Sequence, residues 1–311
     1  MNVARREQLL LTGVLIALGA GWGLTQPLTK IAVSTGHMPF GLLFWQLSIG
    51  AAFLGGVLAI RGRGFGFGLS GSGIFLVLAL IGTIIPNAFS YRAAAHLPSG
   101  VMSIVIATVP MFAFPIALLL RLDRFSFRRL AGLILGLCGV ALIALPEVSL
   151  PGRGSLIWIL VALAAPLCYG LEGNTVAKLG LAGRDPIQAL FGASVFGAVI
   201  ALPMALGTNQ FIDPRLGLGL PELSLVLSAL IHAAVYASYV WLVGRAGPVF
   251  AGQVAYMVTG FGVFWAMLIL KESYASAVWI ALILMLFGVS LVQPRRKDPL
   301  EPNSLTVDSL S

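Results

Sequence analysis

Apolar residues run on along this chain for about 20 positions at a time, and polar residues gather in the short gaps between the runs. A helix needs about 20 apolar residues to cross the hydrocarbon core of a bilayer. Ten stretches qualify: 9–29, 39–60, 73–92, 98–120, 128–146, 155–177, 186–206, 220–244, 248–270 and 275–293. The gaps leave no room for a soluble domain. The pattern predicts an all-α, polytopic membrane protein with ten transmembrane helices. The final segment, 294–311, is rich in proline, serine and charge, and reads as a disordered tail.

The stretches repeat. Trp22-Gly23-Leu24 recurs as Tyr169-Gly170-Leu171, and Pro39 as Pro186, both at an offset of 147. Asp123 recurs as Glu272, Phe125 as Tyr274, and Gly139-Val140 as Gly288-Val289, all at 149. Matches that keep their order at a near-constant offset divide the chain into a five-helix repeat over 9–147 and another over 155–293, followed by the tail. An odd number of crossings forces the second copy into the membrane upside down. Two inverted copies facing each other place a substrate site near the bilayer midplane.

Three local patterns extend this reading. The first helix carries Gly21-Trp22-Gly23, then Pro27 and Lys30, echoed by Tyr169-Gly170 and Lys178. The fourth span, 104–120, contains prolines and leads to Leu122-Asp123-Arg124-Phe125. Its echo is Ile269-Leu270-Lys271-Glu272, and in each half a glycine-rich helix ending Gly-Val follows. Over about residues 13–292 the chain resembles the drug/metabolite transporter superfamily, and within it the EamA-type exporters. Asp123 stands where such exporters usually carry glutamate, which conserves the charge. The resemblance implies export of a small molecule: an amino acid or related metabolite, a nucleotide sugar or a drug. It names no cargo.

Composition agrees with a membrane location. Charged residues make up 10% of the chain and hydrophobic ones 59%, against about 25% charged in soluble domains. The 37 glycines fit helices that approach closely in lipid, where small residues line the contacts. Gly132 and Gly136 form a G-x-x-x-G pair on the fifth span, a packing signal within the chain and a weak one for a homodimer. Cys138 and Cys168 both fall inside apolar spans, so no disulfide framework is indicated. Arg5-Arg6 before an apolar run looks like a signal peptide, but the run continues as a full span and reads as an uncleaved first helix.

Net charge is +8, and its placement explains it. With the N-terminus in the cytoplasm, Arg5, Arg6, Arg61, Arg63, Arg121, Arg124, Arg128, Arg129, Lys178, Arg184, Arg245, Arg295, Arg296 and Lys297 lie on the cytoplasmic side. Only Lys30, Arg92, Arg153, Arg215 and Lys271 lie on the other. This positive-inside bias predicts a multi-pass protein of the inner (plasma) membrane with both termini cytoplasmic. It also removes the reason to expect nucleic acid as a partner.

Polar groups inside a span are costly and face a cavity or a partner. Glu172, in the sixth span, is the sharpest case: a partner for a substrate amine, a proton-coupling carboxyl, or one half of an ion pair between helices. Trp22, Thr25, Gln26 and Thr29 share one face of the first helix, and Tyr169 and Glu172 share the corresponding face of the sixth. Asn87, Ser90 and Tyr91 on the third span pair with His232, Tyr236 and Tyr239 on the eighth. Gln46, Gln253 and Tyr256 are weaker candidates of the same kind. These faces read either as the lining of one cavity or as glue between helices. Protons are a candidate coupling ion, through Glu172 or His232. Arg92 and Lys271 read as snorkelling cations, and Lys271-Glu272 as a helix-end feature.

Several apparent signals fail. Residues 66–71 match G-x-G-x-x-G but sit in a loop between two spans, with no strand–helix unit around them. His37, His96 and His232 lack metal-ligand spacing, and no Walker motif is present. The sequence thus predicts no metal, no cofactor and no enzymatic activity. It reads as a secondary transporter of a small molecule, working by alternating access as one half rocks or gates against the other. The alternatives are an intramembrane lipid-modifying enzyme, a channel or a receptor.

Overall fold

The computed structural model describes residues 3–66, 68–122, 124–144, 155–246 and 254–292. Asp123, Gln253 and the 294–311 tail lie outside them. All regular structure among the described residues is helical. The helices are α1 (Val3–Ala32), α2 (Pro39–Ile60), α3 (Leu69–Ala79), α4 (Ile85–His96), α5 (Ser99–Ile106), α6 (Val109–Leu119), α7 (Phe127–Ala144), α8 (Ser155–Leu179), α9 (Pro186–Gly207), α10 (Leu220–Ala246), α11 (Val254–Leu270) and α12 (Ser276–Val292).

Local chemistry sets several of their ends. α2 and α9 each begin on a proline, whose missing N–H costs nothing in the first turn. Asp185 and Gln188 close a capping box ahead of α9. The third apolar run is one long rod with a π-helical turn, Leu80–Ile84, between α3 and α4. Pro86 explains it. A proline has no N–H to give the carbonyl of Gly82 four residues earlier, so an α ladder cannot run through. Pro110 interrupts the fourth run between α5 and α6 for the same reason.

Seven helical segments are long and apolar enough to cross a membrane: Leu9–Ala32, Pro39–Ile60, Ser72–His96, Ser99–Leu119, Leu156–Leu179, Pro186–Gly207 and Leu220–Tyr239. The remaining three apolar runs are also helical but shorter: α7 has 18 residues with Arg128 and Arg129 in its first turn, and α11 and α12 have 17 each. A helix of 17 residues is about 25 Å long.

The two repeats do not form separate bodies. α1 packs on α10 and α11, α2 on α9 and α10, α4 and α6 on α8, α5 on α11, and α7 on α12. Each helix of one repeat lies mainly against helices of the other. Most of the core contacts therefore lie between the two repeats. Glycines mark the close approaches and show the internal symmetry. Gly23 lies against Phe261 and Gly262, and Gly170 against Phe112 and Ala113. Both partner pairs are 149 residues apart. Gly139 faces Ala281 and Met285, while Gly288 faces Gly132 and Gly136, so the G-x-x-x-G pair is spent on packing inside the chain.

Successive turns fall on opposite ends of the bundle. The first face carries the start of α1, residues 61–66 and 121–122, and the turn at 180–185. The second carries the turns at 33–38, 97–98, 208–219 and 271–275. Ion pairs Arg63–Asp185 (3.4 Å) and Arg245–Glu7 (2.8 Å) tie the first face, and His37–Glu222 (2.5 Å) ties the second.

Candidate functional site

Two polar groups meet between the helices. In the first, α1 sets Trp22 against α10. The indole Nε1–H donates to Nδ1 of His232 at 3.3 Å. The ring also lies 6.0 Å from that of Tyr236 and 5.4 Å from that of Tyr239. His232 is exposed by accessible area although it sits mid-helix and is held by Trp22. An indole N–H only donates, so this contact requires Nδ1 of His232 to be free of its proton.

The second group joins α2, α4 and α8. Tyr169 donates to Oδ1 of Asn87 at 3.0 Å. Nδ2 of Asn87 donates to Oε1 of Gln46 at 3.5 Å, which also accepts the hydroxyl of the buried Tyr91. Gln46 therefore joins Asn87 and Tyr91 and belongs with the principal residues. Its weak signal in the sequence was one amide in an otherwise apolar helix.

Glu172 lies between the two groups. One turn beyond Tyr169 on α8, its carboxylate interacts electrostatically with Tyr169, with Tyr236 and with Cys168. It rests against Gly82 inside the π-helical turn, where any Cβ would collide with it. Among the described residues it has no hydrogen-bond or ion-pair partner. π-turns cluster at functional sites. Sequence reasoning overlooked this one, although Gly82 with Pro86 four residues on was its signal.

Other candidates sit apart. Thr25 is buried and returns its hydroxyl to the carbonyl of Trp22 at 2.7 Å, a bond within its own helix. Gln26 is half-buried on α1, and Tyr256 half-buried near the start of α11. His96 stacks on Trp158 with centroids 3.7 Å apart, a packing contact. Among the described residues no cluster of His, Cys, Asp or Glu could hold a metal ion.

The second face is built differently. A cleft of 560 Å³ opens there beside His37, Gln210 and Glu222, and none of the candidate residues lines it. Its polar groups already serve the fold. Gln210 Oε1 accepts from the Phe40 N–H at 3.0 Å, and Trp45 donates to the carbonyl of Ile212 at 2.9 Å. The Arg215 guanidinium beside Asp213 holds that carboxyl at about 2, mainly through their side-chain hydrogen bonds.

The α4–α5 turn on this face is gripped from both sides. Nζ of Lys30 donates to the carbonyls of Ala94 (2.7 Å), Ala95 (3.2 Å) and Leu97 (2.9 Å). Glu272 accepts from the N–H groups of Ser99 (2.8 Å) and Gly100 (3.2 Å). Tyr274 donates its hydroxyl to Glu272. Burial first, and the Glu272 carboxylate second, push that hydroxyl above the ordinary phenol range, so it stays protonated as a donor. A cation thus meets the carboxyl end of α4 and an anion the amino end of α5, as helix dipoles favour.

Comparison with known proteins agrees with this architecture. Residues 10–145 and, again, 156–293 match the EamA-like transporter family. An uncharacterized transporter of Archaeoglobus fulgidus is 25% identical over 126 residues, which span 40% of this chain and 44% of that protein. A crystal structure described only as that of a protein superposes with a TM-score of 0.61 at 17% identity, over 91% of this chain and 94% of the other; this is a likeness of fold. Two successive matches that together cover nearly the whole helical bundle place this chain in the EamA-like transporter family.

Proposed function

We propose that this membrane transporter is a ten-span secondary exporter of a small metabolite, such as an amino acid or related compound, or of a drug. Its inverted repeats are 9–147 and 155–293, and it works by alternating access. The substrate lies between the Trp22–His232 group and the Gln46–Asn87–Tyr169 group, with Glu172 at its charged end. The observation that carries this reading is Glu172 itself: an acid in mid-span, near Tyr169 and Tyr236, with no hydrogen-bond or ion-pair partner among the described residues. Such a group in a membrane is retained for a substrate, an ion or a proton. It either meets a substrate amine or exchanges a proton during the cycle. His232 is a second proton candidate, since protonating Nδ1 would break its bond to Trp22.

The excess of basic residues at the first face supports placing that face in the cytoplasm, in a protein of the plasma (inner) membrane. Protein reconstituted in vesicles and offered a panel of amino acids and cationic drugs tests the function. Saturable uptake that is accelerated by substrate trapped inside marks a carrier. A flux that rises linearly with concentration marks a channel, and chemical conversion of lipid or substrate marks an enzyme.

A further inference from the structure

The helices around Glu172 are bare on their inner sides. On α10 the exposed residues Leu223, Leu227, Leu230 and Trp241 recur at helical spacing and mark the face turned to lipid. His232, two positions on from Leu230, points the opposite way and is exposed all the same. On α8 the lipid-facing row is Leu160, Leu167 and Leu171. Gly173, two positions on, is exposed on the opposite side, and a Cβ there would meet nothing within 4 Å. The two inner sides border one space, since Glu172 acts electrostatically on Tyr236 across it.

The charge in that space is one-sided. Among the described residues every lysine and arginine lies within about a turn of a helix end or between helices. The remaining four, Arg153, Arg295, Arg296 and Lys297, fall outside the apolar runs of the sequence. Lys30 is spent on the carbonyls of Ala94, Ala95 and Leu97. Lys178, seven positions on from Leu171, lies on the lipid-facing side of α8. His232 accepts the Trp22 N–H on Nδ1, so its ring is neutral. Glu172 is thus an acid with no basic side chain at its level.

We propose that the site takes an organic monocation that carries no acid group: an ammonium ion, free or alkylated, on an aryl or alkyl body. Glu172 is its counter-charge. The rings of Trp22, Tyr236 and Tyr239, whose centres stand 5.4 to 6.3 Å apart, flank the cation and its apolar body, since aromatic faces attract cations. A carboxylate or phosphate on the substrate would enter the interior of the bilayer with no basic group to meet it, and an unpaired charge there is costly. The site therefore selects amines over the amino acids and nucleotide sugars that resemblance to the exporters leaves open. The inference rests on reading Glu172 as a substrate group, and it fixes the charge of the substrate that meets it.

Matched sets that keep one apolar body and change only the charge test this: phenethylamine, phenylalanine and hydrocinnamate; tryptamine, tryptophan and indolepropionate; isopentylamine, leucine and isocaproate. Heats of binding are measured near neutral pH on the full chain in lipid nanodiscs. Wherever an amine binds, it does so about tenfold or more tightly than its amino acid, as for loss of a charged hydrogen bond, and the acid does not bind. Glu172→Gln weakens the amine by about tenfold or more and removes its advantage over the amino acid. Glu172→Asp keeps the charge and keeps the order. The order within each set is read on the wild-type chain, so it decides the matter even if Glu172→Gln does not fold. The proposal is overturned if an amino acid or acid binds as tightly as its amine, if no amine binds, or if folded Glu172→Gln binds the amine as the wild type does. Offering the same sets to vesicles separates the two readings. Amine binding without saturable flux leaves the site standing and removes the transport reading. Saturable flux of an amino acid with the amines excluded overturns this proposal and leaves the transport reading.

Discussion

Glu172 is where one residue decides most. Replacing it with glutamine keeps size and polarity and removes the titration. Insertion and folding survive, since a neutral amide is no harder to place in a span than a carboxyl. Gradient-driven transport falls by about tenfold or more, roughly 1.4 kcal/mol at the rate-limiting step. If Glu172 carries only a proton, exchange of substrate for substrate is spared. Loss of both activities together assigns it to substrate binding. A variant that transports like the wild type from about pH 5.5 to 8 would make Glu172 a structural residue. Trp22→Phe keeps an aromatic ring on the side facing Tyr236 and Tyr239 but removes the N–H that donates to His232, together with part of the ring area. A rise in KM with kcat unchanged would place that bond in binding, whereas a fall in kcat would place it in the conformational step. Asp213 shows the limit of such arguments. Its folded pKa of about 2 lies below its ordinary value of 3.8. Its pairing with Arg215 thus favours the folded loop above about pH 3.8 and is lost as pH falls through 2. A carboxyl-carbon NMR titration would follow that transition. Asp213→Asn leaves transport at neutral pH unchanged, because the pair lies outside both polar groups.

Between helices, glycine sets the spacing. A Cβ on Gly170 would lie 2.9 Å from the amide nitrogen of Ala113, and one on Gly23 would lie 2.8 Å from that of Gly262. Backbone cannot yield as a side-chain tip can. Gly170→Ala and Gly23→Ala therefore each cost about 1–3 kcal/mol by forcing the helices apart, read as a lower thermal midpoint in detergent. Gly56→Ala, where nothing lies within 4 Å, changes it by less than about 0.5 kcal/mol. Equal midpoints for all three would refute the close-packing account. The π-turn makes a second prediction at this scale. Gly82→Ala pushes a methyl into the Glu172 carboxylate, so transport should suffer more than stability does.

Over the whole molecule, interleaving of the repeats decides what can move. Because α1 lies on α10 and α11 while α4 and α6 lie on α8, any shift of one repeat as a body has to slide along the interfaces between the repeats. Orientation is testable at the same scale. With the first face in the cytoplasm, a cysteine placed at position 63 reacts with an impermeant reagent only after the membrane is opened. Labelling of that position on intact cells would invert the topology.

The linear pattern alone carried much of this. Apolar run length needs no contact map, and each run described is helical where hydropathy put it, the third and fourth with a break near a proline. The offset matches among Trp22, Tyr169, Gly139 and Gly288 announced the internal symmetry. They could do so because helix packing imposes the same small residue at the same place in each copy. Polar residues stood out one by one for the same reason: an acid or amide in an apolar run is visible without knowing its neighbours. What they meet was not visible. Trp22 and His232 are 210 positions apart, and their meeting depends on how α1 and α10 are rotated, which glycine contacts with a third helix decide. Gln46 looked minor because a single amide does not reveal that Asn87 and Tyr91 converge on it. Glu272 read as a helix-end residue, and only the fold carried it to the start of a helix in the other repeat. The grip of Lys30 was the least accessible of all: the sequence shows a lone cation near the end of the first span, and only the tertiary structure brings the carbonyls of Ala94, Ala95 and Leu97, 64 to 67 positions on, within reach of its Nζ.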